Sequence, residues 1–177
     1  FRRKEEALYR LSDFIGCMSP ANVRYVLQHN PGVSADKVEI APNSVELASQ
    51  ERTEEGESSA ILAKYGLPTD KPILIYGGNL GVPQGIPFLL ECMEANADRE
   101  DCHFVVVGSG TYYQRLADWY HARKPKAVTV MKGLPKEDYD RLVRACKVGL
   151  IFLDYRFTIP NYPSRLLSYL ENKMPII

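Results

Sequence analysis

The sequence predicts an α/β fold in which a parallel sheet carries helices on both of its faces. Short apolar stretches rich in β-branched residues alternate along the chain with amphipathic stretches of helical spacing. This alternation favours right-handed crossovers, in which a helix returns the chain to the same end of the sheet and makes neighbouring strands parallel. Continuous apolar strands, rather than strictly alternating ones, are typical of sheets that are buried on both faces.

The first part of the chain contains short apolar strands separated by amphipathic helices. Ser19-Pro20 marks one helix start, because Ser caps a helix and Pro fits the first helical position. In chain order, the elements predicted here are helix 2–11, strand Asp13–Met18, helix 20–29 and strand Lys37–Ala41.

Residues 46–57, ELASQERTEEGE, interrupt the pattern, since they are polar and acidic and lack apolar periodicity. This composition is typical of a linker and predicts a domain boundary. Residues 1–45 would then be the terminal part of one α/β domain, and residues 58–177 would be a second α/β domain.

The chain begins at Phe1 without an initiator Met and ends in the apolar run 174–177. We therefore expect a truncated protein whose second domain is incomplete at its C-terminus.

Beyond the predicted linker the alternation is regular. Each apolar stretch is followed by an amphipathic stretch long enough to form a crossover helix. Pro163-Ser164 opens the last helix, again as a start signal. In chain order, the elements predicted here are helix 58–65, strand Ile73–Tyr76, helix 86–96, strand Phe104–Val107, helix 111–123, strand Val128–Met131, helix 136–146, strand Val148–Leu153 and helix 164–172.

The composition is that of an ordinary globular protein and excludes several classes of function. Hydrophobic residues make up 45% and charged residues 25% of the chain, while 22 Lys and Arg balance 22 Asp and Glu. This balance argues against a nucleic-acid partner, so any anion site must be local. The four cysteines lack metal-ligand spacing, which argues against a metal site and favours a reducing, cytoplasmic setting. No apolar run approaches the roughly 20 residues that span a bilayer.

Ligands of open parallel sheets bind beyond the carboxyl ends of the strands, and the first unusual strand end is ILIYGGNLGVPQG, residues 73–85. Its glycines allow the backbone to approach a ligand closely, although a tight turn that needs glycine only for packing is an equal alternative.

The second unusual strand end is VVVGSG, residues 105–110. It has only half of a dinucleotide fingerprint, so NAD chemistry is not supported.

The third strand end combines a cation with a helix start. The strand Val148–Leu153 is followed by a loop that leads to Ser164 and Arg165 in the first turn of the last helix. Free backbone N–H groups, a hydroxyl and a guanidinium at that position would attract an anion such as a phosphate. The alternative is that Ser164 only starts the helix and Arg165 is a surface charge.

Two other patterns are better explained without a metal-binding or catalytic role. Asp138-Tyr139-Asp140 has the D-x-D form of some metal sites, but it falls in the first turns of a helix, where acids offset the helix dipole. His29, His103 and His121 lack the neighbours of a catalytic triad.

Together, these strand ends resemble the family 4 glycosyltransferases of the GT-B fold. The first part resembles the end of the acceptor-side domain, and the second resembles the Rossmann-like domain that binds the nucleotide-sugar donor. The segments that carry the resemblance, in the family's order, are DFIGCMS, KVEIAPNSVE, IYGGNLGVPQGIPFLLE, FVVVGSG, VTVMKGLPKEDYDRLVRACKVGLIFL and YPSRLLSYLENKMPII.

The sequence also departs from the family pattern. Asn79 and Gln84 stand where the family usually supplies an Arg and a Lys to the donor's diphosphate. The paired glutamates of the family would fall at Pro160 and Ser168, and neither residue is acidic. Ser168 could still donate to the ribose, and Glu171, near the same helix face, could replace the lost carboxylate.

The resemblance therefore implies a site in which Arg165 neutralises the donor's diphosphate as the catalytic residue, with some help from Arg156. Gly133 and Leu134 would flank the nucleobase. The substrate-binding residues implied in this way are Gly78, Asn79, Gln84, Gly108, Gly133, Leu134, Ser164, Arg165, Ser168 and Glu171.

The activity implied is a bacterial polysaccharide-biosynthesis glycosyltransferase that moves a sugar, with retention, from a nucleotide-diphosphate sugar to a glycan or lipid-linked acceptor. It would use no metal and no cofactor. The donor-binding half alone would be inactive, and the protein would lie in the cytoplasm, at the inner face of the membrane if the mildly basic helix 2–11 associates with it. A nucleotide-sugar epimerase of similar architecture and a non-catalytic nucleotide-binding module remain alternatives.

Overall fold

The computed structural model describes residues 2–45 and 55–177. The described residues form two compact units, one of residues 2–45 with 158–164 and the other of residues 55–157 with 165–177. Most of the predicted linker, residues 46–54, lies outside the described residues, and residues 55–57 begin a helix. The domain boundary at this linker therefore stays a prediction.

The first unit contains a small parallel sheet and two α-helices. Ser19 caps the second helix as predicted, since its side-chain oxygen accepts a hydrogen bond from the Asn22 backbone N–H at 3.2 Å. The Asn22 side chain donates to the Pro160 carbonyl at 2.7 Å and ties the segment 158–164 to this unit. The elements are α1 (Arg2–Leu11), β1 (Ile15–Cys17), α2 (Pro20–His29) and β2 (Val38–Ile40), with β1 and β2 paired in parallel.

The second unit is a four-stranded parallel sheet with crossover helices. Its elements are α3 (Glu55–Lys64), β3 (Ile73–Asn79), α4 (Ile86–Ala95), β4 (His103–Ser109), α5 (Tyr113–Arg123), β5 (Val128–Met131), α6 (Lys136–Ala145), β6 (Val148–Gly149) and α7 (Arg165–Glu171). The strand order in the sheet is β5-β4-β3-β6. No helix among the described residues is long and apolar enough to cross a membrane.

Alternate residues of the strands enter two separate apolar cores, one on each face of this sheet. Ile75 and Val105 belong to the core that includes residues of α3, α6 and α7. Tyr76 and Val106, one position further along, belong to the core that includes residues of α4 and α5. The predicted parallel sheet with helices on both faces is thus confirmed, and its strands are buried on both sides as their apolar runs indicated.

The strand ends differ from the prediction in ways that matter for the site. β3 extends three residues and β4 two residues beyond their apolar runs, as far as Asn79 and Ser109, because Gly78 and Gly108 pair with each other between the strands. β6 is shorter than predicted and pairs only through Val148 and Gly149. Apolar patterning cannot detect strand pairing that continues through glycine. It also cannot show where an apolar stretch stops pairing with the neighbouring strand.

His103 gives the second unit a predicted sensitivity to acid. Its ring is 7% exposed, and its Nε2 lies in a hydrogen bond with Thr129 Oγ1 at 2.8 Å. Burial, with a smaller contribution from the nearby Lys71 charge, lowers the pKa of His103 from 6.5 to about 4. The unfolded chain therefore binds a proton between these values that the folded protein does not.

We expect the stability that depends on neutral His103 to be complete above pH 6.5 and to fall as the pH drops towards 4. The loss between pH 7 and pH 5 is about 2 kcal/mol. Urea unfolding of the wild-type protein and of His103→Gln at both pH values measures it. The variant should lose about 2 kcal/mol less than the wild type over this interval. Equal losses in the two proteins would show that His103 is protonated in the folded state as readily as in the unfolded one.

Candidate functional site

The strand order creates a topological switch point at β3. From β3 the chain builds β4 and β5 on one side, and it then returns to place β6 on the other side. Crossovers leave opposite faces at such a point, so a crevice opens beyond the carboxyl ends of the two strands, and ligands of open α/β sheets bind there. Here the carboxyl end of β3 is Gly77–Asn79, which the 3₁₀ turn Val82–Gln84 follows.

Arg165, the first residue of α7, projects its guanidinium to this strand end. Its Nη2 donates to Gln84 Oε1 at 2.8 Å, and its guanidinium carbon lies 4.2 Å from the centre of the Tyr76 ring. The second terminal nitrogen, Nη1, is buried and has no hydrogen-bond partner among the described residues. A neutral carboxamide and an aromatic face thus hold the cation, and one of its donors is left unsatisfied. This arrangement suits an anionic ligand, whose oxygens match the guanidinium fork.

Three buried tyrosines lie near the Arg165 guanidinium. Burial raises the pKa values of Tyr76, Tyr139 and Tyr169, and the Arg165 charge acts in the opposite direction on all three. The Tyr169 hydroxyl donates to the Ile75 carbonyl at 3.0 Å. Because the phenols stay neutral at physiological pH, they do not cancel the charge of the guanidinium.

Small residues at the strand ends make room for these side chains. Gly78 has φ +121°, a conformation that favours glycine, and a Cβ atom added to it would lie 3.4 Å from Arg165 Nη2. A Cβ atom on Gly77 would overlap the Tyr139 hydroxyl, and one on Gly149 would overlap the Tyr169 ring. The glycines of β3 and β6 therefore allow the aromatic rings of α6 and α7 to pack against the sheet.

Arg156, the second arginine that the sequence predicted near the diphosphate, is already paired. Arg156 binds the Asp154 carboxylate through two contacts, Nε to Oδ1 at 2.9 Å and Nη2 to Oδ2 at 2.7 Å. The Arg156 guanidinium holds the pKa of Asp154 down to about 2, so both groups are charged and neutralise each other. Arg165 is consequently better suited than Arg156 to bind an added anion.

The structure places Gly78 beside Arg165, which contacts Gln84 directly, and Gly108 pairs with Gly78 between β3 and β4. The Asn79 carbonyl accepts a hydrogen bond from the Tyr76 hydroxyl at 3.0 Å. A Cβ atom added to Gly110 would lie 2.9 Å from Asn79 Oδ1, so the Asn79 side chain faces the turn after β4.

The remaining predicted residues lie elsewhere around α6 and α7. Gly133 has open space around it, whereas Leu134 packs against an apolar core. Ser164 is exposed, and the backbone carbonyl of Ser168 accepts hydrogen bonds from Asn172. Asp140 raises the pKa of Lys136 most strongly, and Glu171, at the end of α7, has a smaller effect in the same direction. The helix α7 has seven residues, so Arg165, more than a helix dipole, provides the positive charge.

Sequence reasoning missed the three tyrosines. The middle residue of Asp138-Tyr139-Asp140 faces the site, while the two acids form ion pairs, Asp138 with Lys64 at 2.6 Å and Asp140 with Lys136 at 2.7 Å. The signal that could have revealed the tyrosines is the presence of glycine within otherwise apolar strands. Such a glycine marks a place where a large side chain packs onto the sheet.

The chain is similar in sequence to known glycosyl transferases. The family model for glycosyl transferases group 1 matches residues 57–177. The chain is 30% identical over 118 residues to WcaI of Escherichia coli (strain K12), which is named as a colanic acid biosynthesis glycosyl transferase. This match covers 67% of the chain and 28% of WcaI.

Solved structures show the same fold at low identity. Anabaena Alr3699/HepE in complex with UDP-glucose matches with a TM-score of 0.70 and 13% identity, over 97% of this chain and 48% of that chain. A glycosyltransferase from Rickettsia africae ESF-5 matches with a TM-score of 0.71 and 14% identity, over 93% and 43%. The chain thus spans about half the length of these solved proteins and less than a third of WcaI. The predicted resemblance is confirmed: the chain belongs to the glycosyl transferases group 1 family and has the GT-B type of fold.

Proposed function

We propose that this chain is the donor-binding half of a glycosyltransferase that moves a sugar from a nucleotide-diphosphate sugar to a glycan or lipid-linked acceptor. The observation that carries the proposal is the Arg165 guanidinium at the switch point of the sheet, held by neutral groups and with one terminal nitrogen unsatisfied. A diphosphate offers several anionic oxygens, and a guanidinium fork can bind two of them at once.

The residues present fit this ligand. Gly78 and Gly108 keep the strand ends free of side chains, so the backbone can approach a phosphate closely. Within the proposal, Asn79, Gln84 and Ser164 also contact the diphosphate. Gly133 and Leu134 would flank the base, while Ser168 and Glu171 would meet the ribose. Alr3699/HepE, which shares the fold, is described in complex with UDP-glucose, and this supports a nucleotide-sugar donor here.

In the proposed mechanism, Arg165 acts on the departing diphosphate. Breaking the bond between the sugar and the diphosphate places negative charge on the leaving group, and a cation already fixed nearby stabilises that charge in the transition state. The chain's remaining contribution is to orient the donor. We propose transfer with retention and assign no step to a metal ion, because Arg165 supplies the charge compensation.

Acceptor recognition is assigned to parts of the protein outside this donor-binding half, so we expect the chain to have no transferase activity by itself. The relationship to WcaI supports a role in polysaccharide biosynthesis. The cytoplasm, at the inner face of the membrane, is the proposed location, because an acceptor carried on a lipid would be met there.

A non-catalytic nucleotide-binding module is the second candidate. The observation that favours it is that neither Pro160 nor Ser168, at the positions of the family's paired glutamates, carries a carboxylate. Both candidates require nucleotide binding. They differ in turnover, because only a transferase would transfer the sugar or slowly hydrolyse the donor when the full-length protein is assayed.

The proposal is tested by thermal shift of the full-length protein with UDP, GDP, ADP and CMP and with their common sugar derivatives. At a concentration 100-fold above Kd, a ligand stabilises the folded state by about 2.7 kcal/mol, which raises Tm by several degrees. We expect one diphosphate to produce this shift with the wild-type protein and a much smaller one with Arg165→Ala. Arg99→Ala is the matched control, since Arg99 pairs with Asp101 before the amino end of β4. If no nucleotide shifts Tm, the donor-binding function is refuted.

A further inference from the structure

We propose that Tyr76 is a positioning residue that holds the Arg165 guanidinium ready for the donor's diphosphate. This inference rests on the proposed function and adds a residue that neither the family pattern nor the sequence analysis assigned. It concerns the contact between the Tyr76 ring and the Arg165 guanidinium, which Gln84 also holds through one terminal nitrogen.

The Tyr76 ring is itself fixed. It is completely buried, and its hydroxyl donates to the Asn79 carbonyl at 3.0 Å. Phe152 packs against it edge-on with ring centres 6.0 Å apart, and Phe88 lies 5.7 Å beyond Phe152. The ring therefore has one orientation, and its face provides a rigid surface for a cation.

The guanidinium of Arg165 rests on that surface, with its central carbon 4.2 Å from the ring centre. The negative face of an aromatic ring attracts a cation, and the attraction is stronger where water is excluded. Gln84 Oε1 accepts from Arg165 Nη2 at 2.8 Å and lies 3.5 Å from the Tyr76 hydroxyl. Tyr76 thus provides one of the two groups that hold Arg165, and Gln84 provides the other.

The consequence is preorganisation. A free arginine side chain loses conformational entropy when a ligand immobilises it, and this loss weakens binding. A guanidinium that the protein has already immobilised avoids this loss. The gain applies only to the part of the ligand that Arg165 contacts, which is the diphosphate and not the nucleoside.

The test compares UDP with UMP on the full-length protein by isothermal titration calorimetry, or the corresponding pair if the thermal-shift panel selects another base. We expect Tyr76→Leu to lower the preference for the diphosphate about fivefold while the affinity for the monophosphate changes little. Tyr76→Phe keeps the ring and should retain most of the preference. Tyr65→Leu is the matched control, because Tyr65 also lies below a cation, Lys64 Nζ at 5.6 Å from its ring centre, but outside the site.

A variant of unchanged shape covers the case in which Tyr76→Leu does not fold. Incorporating 3,4,5-trifluorophenylalanine at position 76 weakens the negative ring face with little change in shape, and it should lower the diphosphate preference relative to Tyr76→Phe. An unchanged preference in this protein overturns the inference. Equal weakening of UDP and UMP binding by Tyr76→Leu overturns it as well, since that is the effect of a structural residue.

The Arg165→Met background separates this inference from the proposed function. If Tyr76 acts through Arg165, then adding Tyr76→Leu to Arg165→Met should leave the diphosphate preference unchanged. If Tyr76→Leu lowers the diphosphate preference further in the Arg165→Met protein, positioning through Arg165 is refuted. If Arg165→Met alone leaves the diphosphate preference intact, the assignment of Arg165 in the proposed function fails, whatever Tyr76 does.

Discussion

Replacing Arg165 by alanine in the full-length protein is expected to lower kcat/KM for the donor at least a hundredfold. The guanidinium is the positive group that the structure places at the carboxyl end of β3, over Tyr76 and against Gln84. Removing one preorganised donor that stabilises developing negative charge typically costs about 10²–10³ in rate. The neutral groups around Arg165 cannot replace it, since a carboxamide oxygen and an aromatic face do not attract a phosphate.

Steady-state kinetics with the nucleotide sugar selected by the thermal-shift panel measures this loss. Arg165→Lys should recover part of the activity, because lysine keeps the charge but lacks the planar fork and the stacking on Tyr76. Arg99→Ala, which removes an exposed arginine before the amino end of β4, should retain wild-type kinetics. Turnover of Arg165→Ala within tenfold of the wild type would contradict the role assigned to Arg165.

The fold could be predicted because its signals are local and repeated. Strand β5, for example, has the same limits, Val128–Met131, in the prediction and in the structure, since an apolar β-branched run stands between two amphipathic helices. The predicted strand limits were wrong where strand pairing continues through glycine, as at Gly78 and Gly108. There the apolar signal ends before the strand does, and the site begins in the part that was missed.

The sequence predicted Arg165, Gly78 and Gln84 as residues of the candidate site, but not the tyrosines near them and not how these residues meet. Arg165 stood out because it follows a Pro-Ser helix start and a strand end. Its contacts with Tyr76 and Gln84 join residues 89 and 81 positions away in the chain, and no local pattern specifies such distances. The tyrosines of α6 and α7 look like ordinary apolar positions of amphipathic helices until the glycines opposite them are known.

Gly108→Ala is expected to destabilise the second unit by about 3 kcal/mol or more. Gly108 lies opposite Gly78 in the β3–β4 ladder, and a Cβ atom on it would overlap the Gly78 carbonyl oxygen and approach Leu80 Cγ to 3.2 Å. The carbonyl belongs to a residue of the β3–β4 ladder, so it cannot move away without disturbing the hydrogen bonds of that ladder. A side chain could rotate to relieve such a contact, whereas backbone cannot.

Urea unfolding without nucleotide measures the loss, and Gly133→Ala is the matched control. Gly133 has no atom within 4 Å of an added Cβ, so the same substitution there should change the free energy of unfolding by no more than about 0.5 kcal/mol. Similar unfolding midpoints for the two variants would refute the close approach of β3 and β4. Because Gly78 also borders Arg165 Nη2, any folded Gly108→Ala protein should show weakened diphosphate binding as well, which links the packing of the strand ends to the position of the cation.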